Sequence, residues 1–524
     1  MTTSLSLADL TGTLPLGATP LPGGVFFSVW ATAARHVAVE LLVGSRTIRH
    51  ELQPLAGDLF SGFVPGLAAG AYYRFRLDDG PALPDPRSRF QPEGVHGPSE
   101  VIDLAAFPWT DTAWPGLTRD GLSIYELHVA AFTEAGTFAA VIEELPRLRD
   151  LGVGTIELMP VAACPGRWNW GYDGVALYAP SQNYGHPEDL QRLVDAAHRV
   201  GLGVLLDVVY NHLGPDGNVL RAFSPEYFDP VQQTPWGDAI DYRRQEVRDF
   251  AIDNACQWVR DYHMDGLRLD ATHAIADDGP RHLMAELGER ARAAAGRPIV
   301  LIAEDGRRDP RITRPLGLGG QGLDAQWADD FHHALRVRLT DEHHGYFARY
   351  IGSPAEIAQT IERGFPQPRG NAPPTSEADP AAAFVFFIQN HDQVGNRAGG
   401  ERLHHVIGRD LAAVAAALLL CSPETPMLWM GEEFLAPSPF LYFTDHEPAL
   451  GNLVSEGRRR EFAAFPAFAN GESVPDPQDP STFQRSVLPP PGPERDSGME
   501  TLYRDLLRLR REDPVLKVNN RART

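Results

Sequence analysis

From about residue 120 onward, short apolar runs alternate with longer stretches in which apolar positions recur every three or four residues. Runs of the first kind read as buried strands, and stretches of the second as amphipathic helices. The pattern predicts strands at 122–129, 155–159, 204–209, 266–269, 299–303, 323–327, 384–389 and 427–430. It predicts helices at 137–151, 187–200, 245–262, 409–420 and 500–511. Eight strands alternating with helices favour an α/β fold of the (β/α)8 barrel type over an open, doubly wound sheet.

Before residue 100 the pattern differs. Residues 25–30, 37–42, 47–52 and 72–77 are short and rich in β-branched or aromatic side chains, and Gly and Pro punctuate them closely. That spacing predicts a small β-sandwich of immunoglobulin-like type. The Pro-rich stretch 81–86 reads as a connection. The expected organisation is therefore a sandwich over 1–100 and a catalytic barrel over 101–512, followed by a short remnant at 513–524. Residues 214–241 are too many for a tight loop and read as an excursion over the barrel rim. Residues 435–498, rich in Pro, Ser and charge, read as an extended rim loop with room for short helices.

Composition narrows the partners. Net charge is −22, from 47 Lys+Arg and 69 Asp+Glu. A surface this acidic repels phosphate backbones, so nucleic acid is not an expected partner, whereas a neutral polyhydroxylated substrate is not repelled. The three cysteines, Cys164, Cys256 and Cys421, are too few and too scattered for a disulfide framework. The first residues lack a basic stretch followed by an apolar core, and no run approaches the ~20 apolar residues of a membrane span. A soluble, cytoplasmic protein without a membrane partner is expected.

Three carboxylates close three of the predicted strands: Asp270 in Gly-Leu-Arg-Leu-Asp (266–270), Glu304 in Val-Leu-Ile-Ala-Glu-Asp (300–305), and Asp392 in Phe-Ile-Gln-Asn-His-Asp (387–392). The C-terminal rim of a parallel barrel is where such a fold gathers catalytic groups. Hydrolysis of a glycosidic bond with retention needs a nucleophilic carboxylate and a carboxylic acid about 5–5.5 Å apart. Alternation along the strand puts Arg268 on the same face as Asp270, where it would keep that carboxylate ionised. Glu304, expected in a less cationic setting, suits the proton donor. Asp392 with His391, and His212 and Tyr172 from other strands, are candidates to hold sugar hydroxyls. Singly, each has a plainer reading, since strand-end Asp is common as a cap or turn residue. Together, at four strand ends, they point to a site.

Four ordered segments carry a resemblance: Asp207-Val-Val-Tyr-Asn-His212, Gly266-Leu-Arg-Leu-Asp270, Ala303-Glu304 and Asn390-His391-Asp392. They resemble the signature segments of the α-amylase superfamily of glycoside hydrolases. The resemblance implies Asp270 as nucleophile, Glu304 as general acid/base and Asp392 as transition-state stabiliser. It implies substrate contacts at Tyr172, His212, Arg268 and His391, with Asp207, grouped with them, buttressing the arginine. His273, just past the nucleophile, is expected near the leaving-group sugars. Segments 124–129, 210–217, 234–238, 389–397 and 440–446 resemble the trehalose-releasing branch of that superfamily. That branch hydrolyses the α-1,4 bond joining a maltooligosaccharide to its terminal trehalose, so the implied substrate is a maltooligosyl trehalose. The implied partner enzyme is a maltooligosyltrehalose synthase. The superfamily's usual C-terminal β domain is expected to be missing. Alternatives are a glycogen branching or debranching enzyme, or a dead barrel serving as a glucan-binding module; the three intact carboxylates disfavour the last.

Gly317-Leu-Gly-Gly-Gln-Gly322 matches a dinucleotide-binding pattern by letter but lacks its strand-to-helix context. His332-His333 and His343-His344 lack the one-face spacing of a helical metal site. Ala274 stands where superfamily members that bind calcium usually carry a histidine. No cofactor and no required metal are expected. Segments 214–241 and 435–450 are the candidates for recognising the α,α-1,1 linkage.

Overall fold

The computed structural model describes residues 14–234, 237–365, 380–462 and 474–519. Two antiparallel sheets form an N-terminal sandwich. One runs in the order Gly17–Leu21, Gly24–Trp30, Leu59–Pro65, Gln53–Leu55; the other runs Arg46–Glu51, Val37–Val43, Tyr72–Leu77, Ala82–Leu83, with Ser99–Glu100 on Tyr72–Leu77. Val25, Phe27 and Val29 from the first sheet meet Val39, Leu41, Tyr73 and Phe75 from the second, as period-two alternation requires.

Eight parallel strands then close a barrel: β1 (Ile124–Leu127), β2 (Thr155–Leu158), β3 (Gly203–Val208), β4 (Gly266–Leu269), β5 (Val300–Ala303), β6 (Ala325–Trp327), β7 (Phe384–Phe387) and β8 (Thr425–Trp429), with β8 pairing back onto β1. Ile124, Leu205, Ile302, Ala325, Val385, Phe387 and Met427 fill the interior. The register sets Asp207 opposite Arg268 and Leu269 opposite Ala303, so the residues after β4 and β5 emerge side by side. Gly266 is needed where it stands, because a Cβ there would meet the Val300 carbonyl oxygen at 1.9 Å.

The expected helices are present with small shifts. Thr137 caps Phe138–Leu151, and Gly152, in the left-handed region, ends it. The strand expected at 122–129 is shorter, because His128 turns the chain into a short helix, Val129–Phe132, by accepting from the Ala131 amide. The helix expected at 409–420 is Leu403–Cys421, with a non-helical break at Gly408. By length and composition alone it is apolar enough to cross a membrane, a property that the core helix of a soluble protein can share. In the fold it packs against Ser497–Glu512 and Asp329–Thr340. Among its described residues, the segment read as a rim loop at 435–498 holds the helices Pro448–Phe462 and Pro480–Ser486.

The largest departure concerns the excursion at 214–241. It holds a short helix, Leu220–Phe223, and a hairpin of Phe228–Thr234 with Gly237–Ile240; positions 235 and 236 of the 234–238 motif lie outside the described residues. Rather than only covering the rim, it reaches the sandwich. Phe223 is fully buried in the sandwich core, edge-on to Phe75 at 6.2 Å, and its carbonyl accepts from the Ala33 amide (3.0 Å). Tyr227 packs edge-on against Trp30. One barrel loop thus completes the hydrophobic core of the other domain. Phe223→Ala is expected to cost about 3–5 kcal/mol, as large-to-small core changes do. Denaturant unfolding followed separately by near- and far-ultraviolet circular dichroism would measure it, and a loss under about 1 kcal/mol would contradict the shared core.

Candidate active site

The site is built around one buried side chain. Arg268 points up inside the barrel with no solvent exposure. Its Nη1 donates to both carboxylate oxygens of Asp207 (2.7 and 2.9 Å) and to Oδ1 of Asp270 (2.8 Å). Its Nη2 lies 2.9 Å from Oε2 of Glu304, an ion pair without hydrogen-bond alignment. The guanidinium also stacks over the Trp327 ring at 4.0 Å. Burial alone would weaken the guanidinium's hold on its proton, but Asp207, Glu304 and Asp270 outweigh it and keep the group charged. The expectation that Arg268 faces Asp270 is met. The expectation of a less cationic setting for Glu304 is not: strand pairing brings Glu304 to the same guanidinium.

Two loops orient the carboxyls further. Asn211 Nδ2 donates to Oδ2 of Asp270 (2.7 Å), so both oxygens of that carboxylate are held. Ala271 adopts a left-handed conformation, φ 38°, unusual for a residue with a Cβ, and its amide thereby donates to Oε2 of Glu304 (2.8 Å). The Thr272 hydroxyl bonds Oδ2 of Asp305 (2.8 Å), tying the loop after β4 to the loop after β5.

A second line of polar groups runs to Arg268 from β1. His391 Nδ1 meets Oε1 of Glu126 (2.5 Å) and its Nε2 meets the Tyr172 hydroxyl (2.8 Å); that hydroxyl donates to Oδ2 of Asp207 (2.6 Å). Burial works against charge on His391, but Asp392 and Glu126 on either side prevail and hold its pKa at about 9. The charged ring donates from both nitrogens, which leaves the Tyr172 proton for Asp207. Tyr172 is set in place by Gly171, at φ 107°, where a Cβ would sit 2.3 Å from the Pro160 carbonyl oxygen. Beneath this line lies Glu157 on β2, wholly buried and without a hydrogen-bond partner among the described residues; burial, then the charges of Glu126 and Asp207, push its pKa well up and keep it neutral.

Side-chain exposure rises outward from 0% at Arg268 to 12% at Asp270, 20% at Glu304 and 35% at Asp392, so the three strand-end carboxyls are the ones open to a ligand. Asp392, 3.6 Å from His391, accepts from Asn396 (2.9 Å). Asp207, grouped with the substrate-binding residues, is buried with its oxygens taken by Arg268 and Tyr172, so it positions those groups and meets no ligand. His212 is buried, held neutral by burial, and bonds the Tyr172 carbonyl (3.0 Å), bracing the loop that carries the tyrosine. His273 is exposed on the turn Thr272–Ala274. Among the described residues, no group of three or more His, Cys, Asp or Glu side chains could hold a metal ion. Sequence reasoning passed over Asn211, Glu126 and Trp327. Asn211 stood in plain view beside His212, but the other two become site residues only once the barrel closes.

The chain matches the model of the alpha amylase catalytic domain over residues 120–223, and that of carbohydrate-binding module 48, the isoamylase N-terminal domain, over residues 15–86. It is 46% identical to the malto-oligosyltrehalose trehalohydrolase of Deinococcus radiodurans, covering 97% of this chain and 84% of that protein. It is 40% identical to the enzyme of the same name from Saccharolobus solfataricus, covering 93% and 85%. A crystal structure described as a putative alpha amylase from Salmonella typhimurium superimposes with a TM-score of 0.88 at 40% identity, over 97% of this chain and 88% of that one.

The His391 pair has a pH signature. Its folded pKa, about 9, lies above the ordinary 6.5. The pair's stabilisation is therefore complete below about 6.5 and is lost as the pH rises through about 9. Thermal unfolding across about pH 6 to 10 is expected to fall more steeply for the unaltered protein than for His391→Asn. Parallel curves would contradict the charged assignment.

Proposed function

This chain belongs to the malto-oligosyltrehalose trehalohydrolases, glycosidases built on the α-amylase catalytic domain, and we propose that it hydrolyses the α-1,4 bond joining a maltooligosaccharide to its terminal trehalose, releasing free trehalose. The observation that carries the reading is the single buried guanidinium of Arg268, which touches both Asp270 and Glu304. Two carboxyls on adjacent nitrogens of one guanidinium fit the close pair of a retaining mechanism, about 5–5.5 Å, better than the inverting pair at about 6.5–9.5 Å.

In the proposed mechanism, Asp270, oriented by Arg268 and Asn211, attacks the anomeric carbon and forms a covalent glycosyl-enzyme. Glu304 protonates the departing glycosidic oxygen, then takes a proton from the water that hydrolyses the intermediate. Asp392, the most open of the three, bonds hydroxyls of the distorted ring at the cleavage point. Tyr172 offers its ring to the same sugar, its orientation held by His391 and Asp207. The bonds and charges around Arg268 are in place before substrate arrives, so little reorganisation is needed as positive charge develops on the sugar. A synthase that turns the reducing end of a glucan into trehalose would supply the substrate. The free cysteines Cys164, Cys256 and Cys421 support a reducing, cytoplasmic setting.

Incubation with maltopentaosyl trehalose is expected to yield trehalose and maltopentaose; activity on a branched glucan without trehalose release would favour the branching or debranching alternative. Asp270→Ala is expected to abolish turnover while maltooligosaccharide binding remains measurable by calorimetry. Glu304→Gln is expected to slow turnover about 10²- to 10⁴-fold. Near-normal steady-state rates in either variant would remove that residue from its role.

A further inference from the structure

Apolar side chains fill much of the barrel interior, but β2 sends Glu157 into it, level with Glu126 on β1 and with Leu205 on β3. The carboxyl has no solvent exposure, and neither oxygen has a hydrogen-bond partner among the described residues. An unpaired buried carboxyl is costly, and a leucine of similar size would avoid the cost, so its presence calls for a reason. None of the steps at Asp270, Glu304 and Asp392 uses it.

Its surroundings supply the reason. The titratable and charged groups that face it are Glu126 from β1, Asp207 from β3, Arg268 from β4 and His391 from the segment after β7. The two cations are already committed. His391 meets one oxygen of Glu126 with its ring (2.5 Å) and the other with its backbone amide (3.1 Å). Arg268 divides Nη1 between Asp207 and Asp270, and its Nη2 pairs with Glu304. A further negative charge at Glu157 has no counter-ion left, and burial, then Glu126 and Asp207, keep the carboxyl protonated. A carboxylate there competes for His391 and for Arg268, whose Nε has no partner among the described residues. Either pull loosens a contact on which the site depends: Arg268 on Asp270, or His391 on Tyr172.

We infer that Glu157 is a positioning residue for the hydrolytic reaction: as the neutral acid it leaves Arg268 and His391 wholly to Asp207, Asp270 and Glu126, and by ionising it draws on both and turns the site off as the pH rises. It meets no substrate and acts only through these two cations. This rests on the assignment of Asp270 as nucleophile above.

Glu157→Gln, neutral at every pH and of the same shape, separates the charge from the side chain. Glu157→Met, also neutral and of similar length, carries the same test if the core rejects an amide. Near pH 6 both variants are expected to release trehalose from maltopentaosyl trehalose with kcat within about threefold of the intact protein. At alkaline pH they diverge. The intact protein is expected to lose kcat about tenfold for each pH unit beyond the Glu157 midpoint. That ionisation is absent from both variants, so their alkaline limb moves to higher pH, where His391, at about 9, remains to set it. Stability carries a second signature. The unfolded chain gives up this proton above the ordinary carboxyl value of 4.5, whereas the folded state keeps it. Relative to Glu157→Gln, the unfolding constant of the intact protein is therefore expected to rise about tenfold per pH unit above that value, until the folded group itself ionises. Denaturant titration across the pH range measures it.

Coincident alkaline limbs in the intact protein and the variants would overturn the proposal, because a merely structural carboxyl moves stability and leaves the rate profile in place. A stability difference constant with pH would also overturn it, as would failure of both variants to fold, since neutrality alone is held to suffice. If the intact protein releases no trehalose from the capped substrate, the functional reading falls by itself; the stability curves still test the held proton, and the rate profile is read on the glucan that the protein does cut.

Discussion

Removing a guanidinium entirely from water costs several kcal/mol unless charge and hydrogen bonds meet it in place. At Arg268 they do: Asp207 below, Asp270 and Glu304 above, and the Trp327 ring across its face. The arginine in turn holds two carboxylates at a separation they would not adopt alone, since like charges repel. Each partner is placed by a different strand: Asp207 by β3, Asp270 by β4, Glu304 by β5 and Trp327 by β6. Closing the barrel and assembling the site are therefore one physical event.

The same dependence explains the second row of groups. Glu126 on β1 and His391 after β7 lie far apart in the chain and adjacent in the closed barrel. Their ion pair orders the protons through Tyr172 to Asp207, so the aromatic ring expected to meet the sugar is held from behind by a chain of bonds that ends on the arginine. Rigidity of this kind suits a reaction whose transition state develops charge, because the stabilising dipoles are already aligned.

Outside the barrel, the sandwich and the excursion form a joint unit. Phe223 from the barrel joins the sandwich's own core aromatics, Phe27, Phe60, Tyr73 and Phe75. The contact makes the fold of the N-terminal domain depend on a loop that follows β3, the strand that also carries Asp207.

Much of this was legible in the chain itself. Apolar runs of four to six residues ending in Asp270, Glu304 and Asp392 marked strand ends, because a buried parallel strand must be apolar on both faces and stop where it meets water. Period-two alternation likewise placed Arg268 against Asp270. Local pattern could not show which strands would be neighbours. The Glu304–Arg268 contact, the Trp327 stack and the Glu126–His391 pair depend on register and closure across up to 265 residues. Nor could it show that Glu126 is answered by His391 while Glu157, level with it on the next strand, has no partner among the described residues. The alternating architecture and the kinds of chemical group at the rim are local consequences of hydrophobicity and spacing, so the bare chain already carries them. The tertiary structure alone decided the charge environment and openness of each group, because these depend on what distant segments bring within a few ångströms.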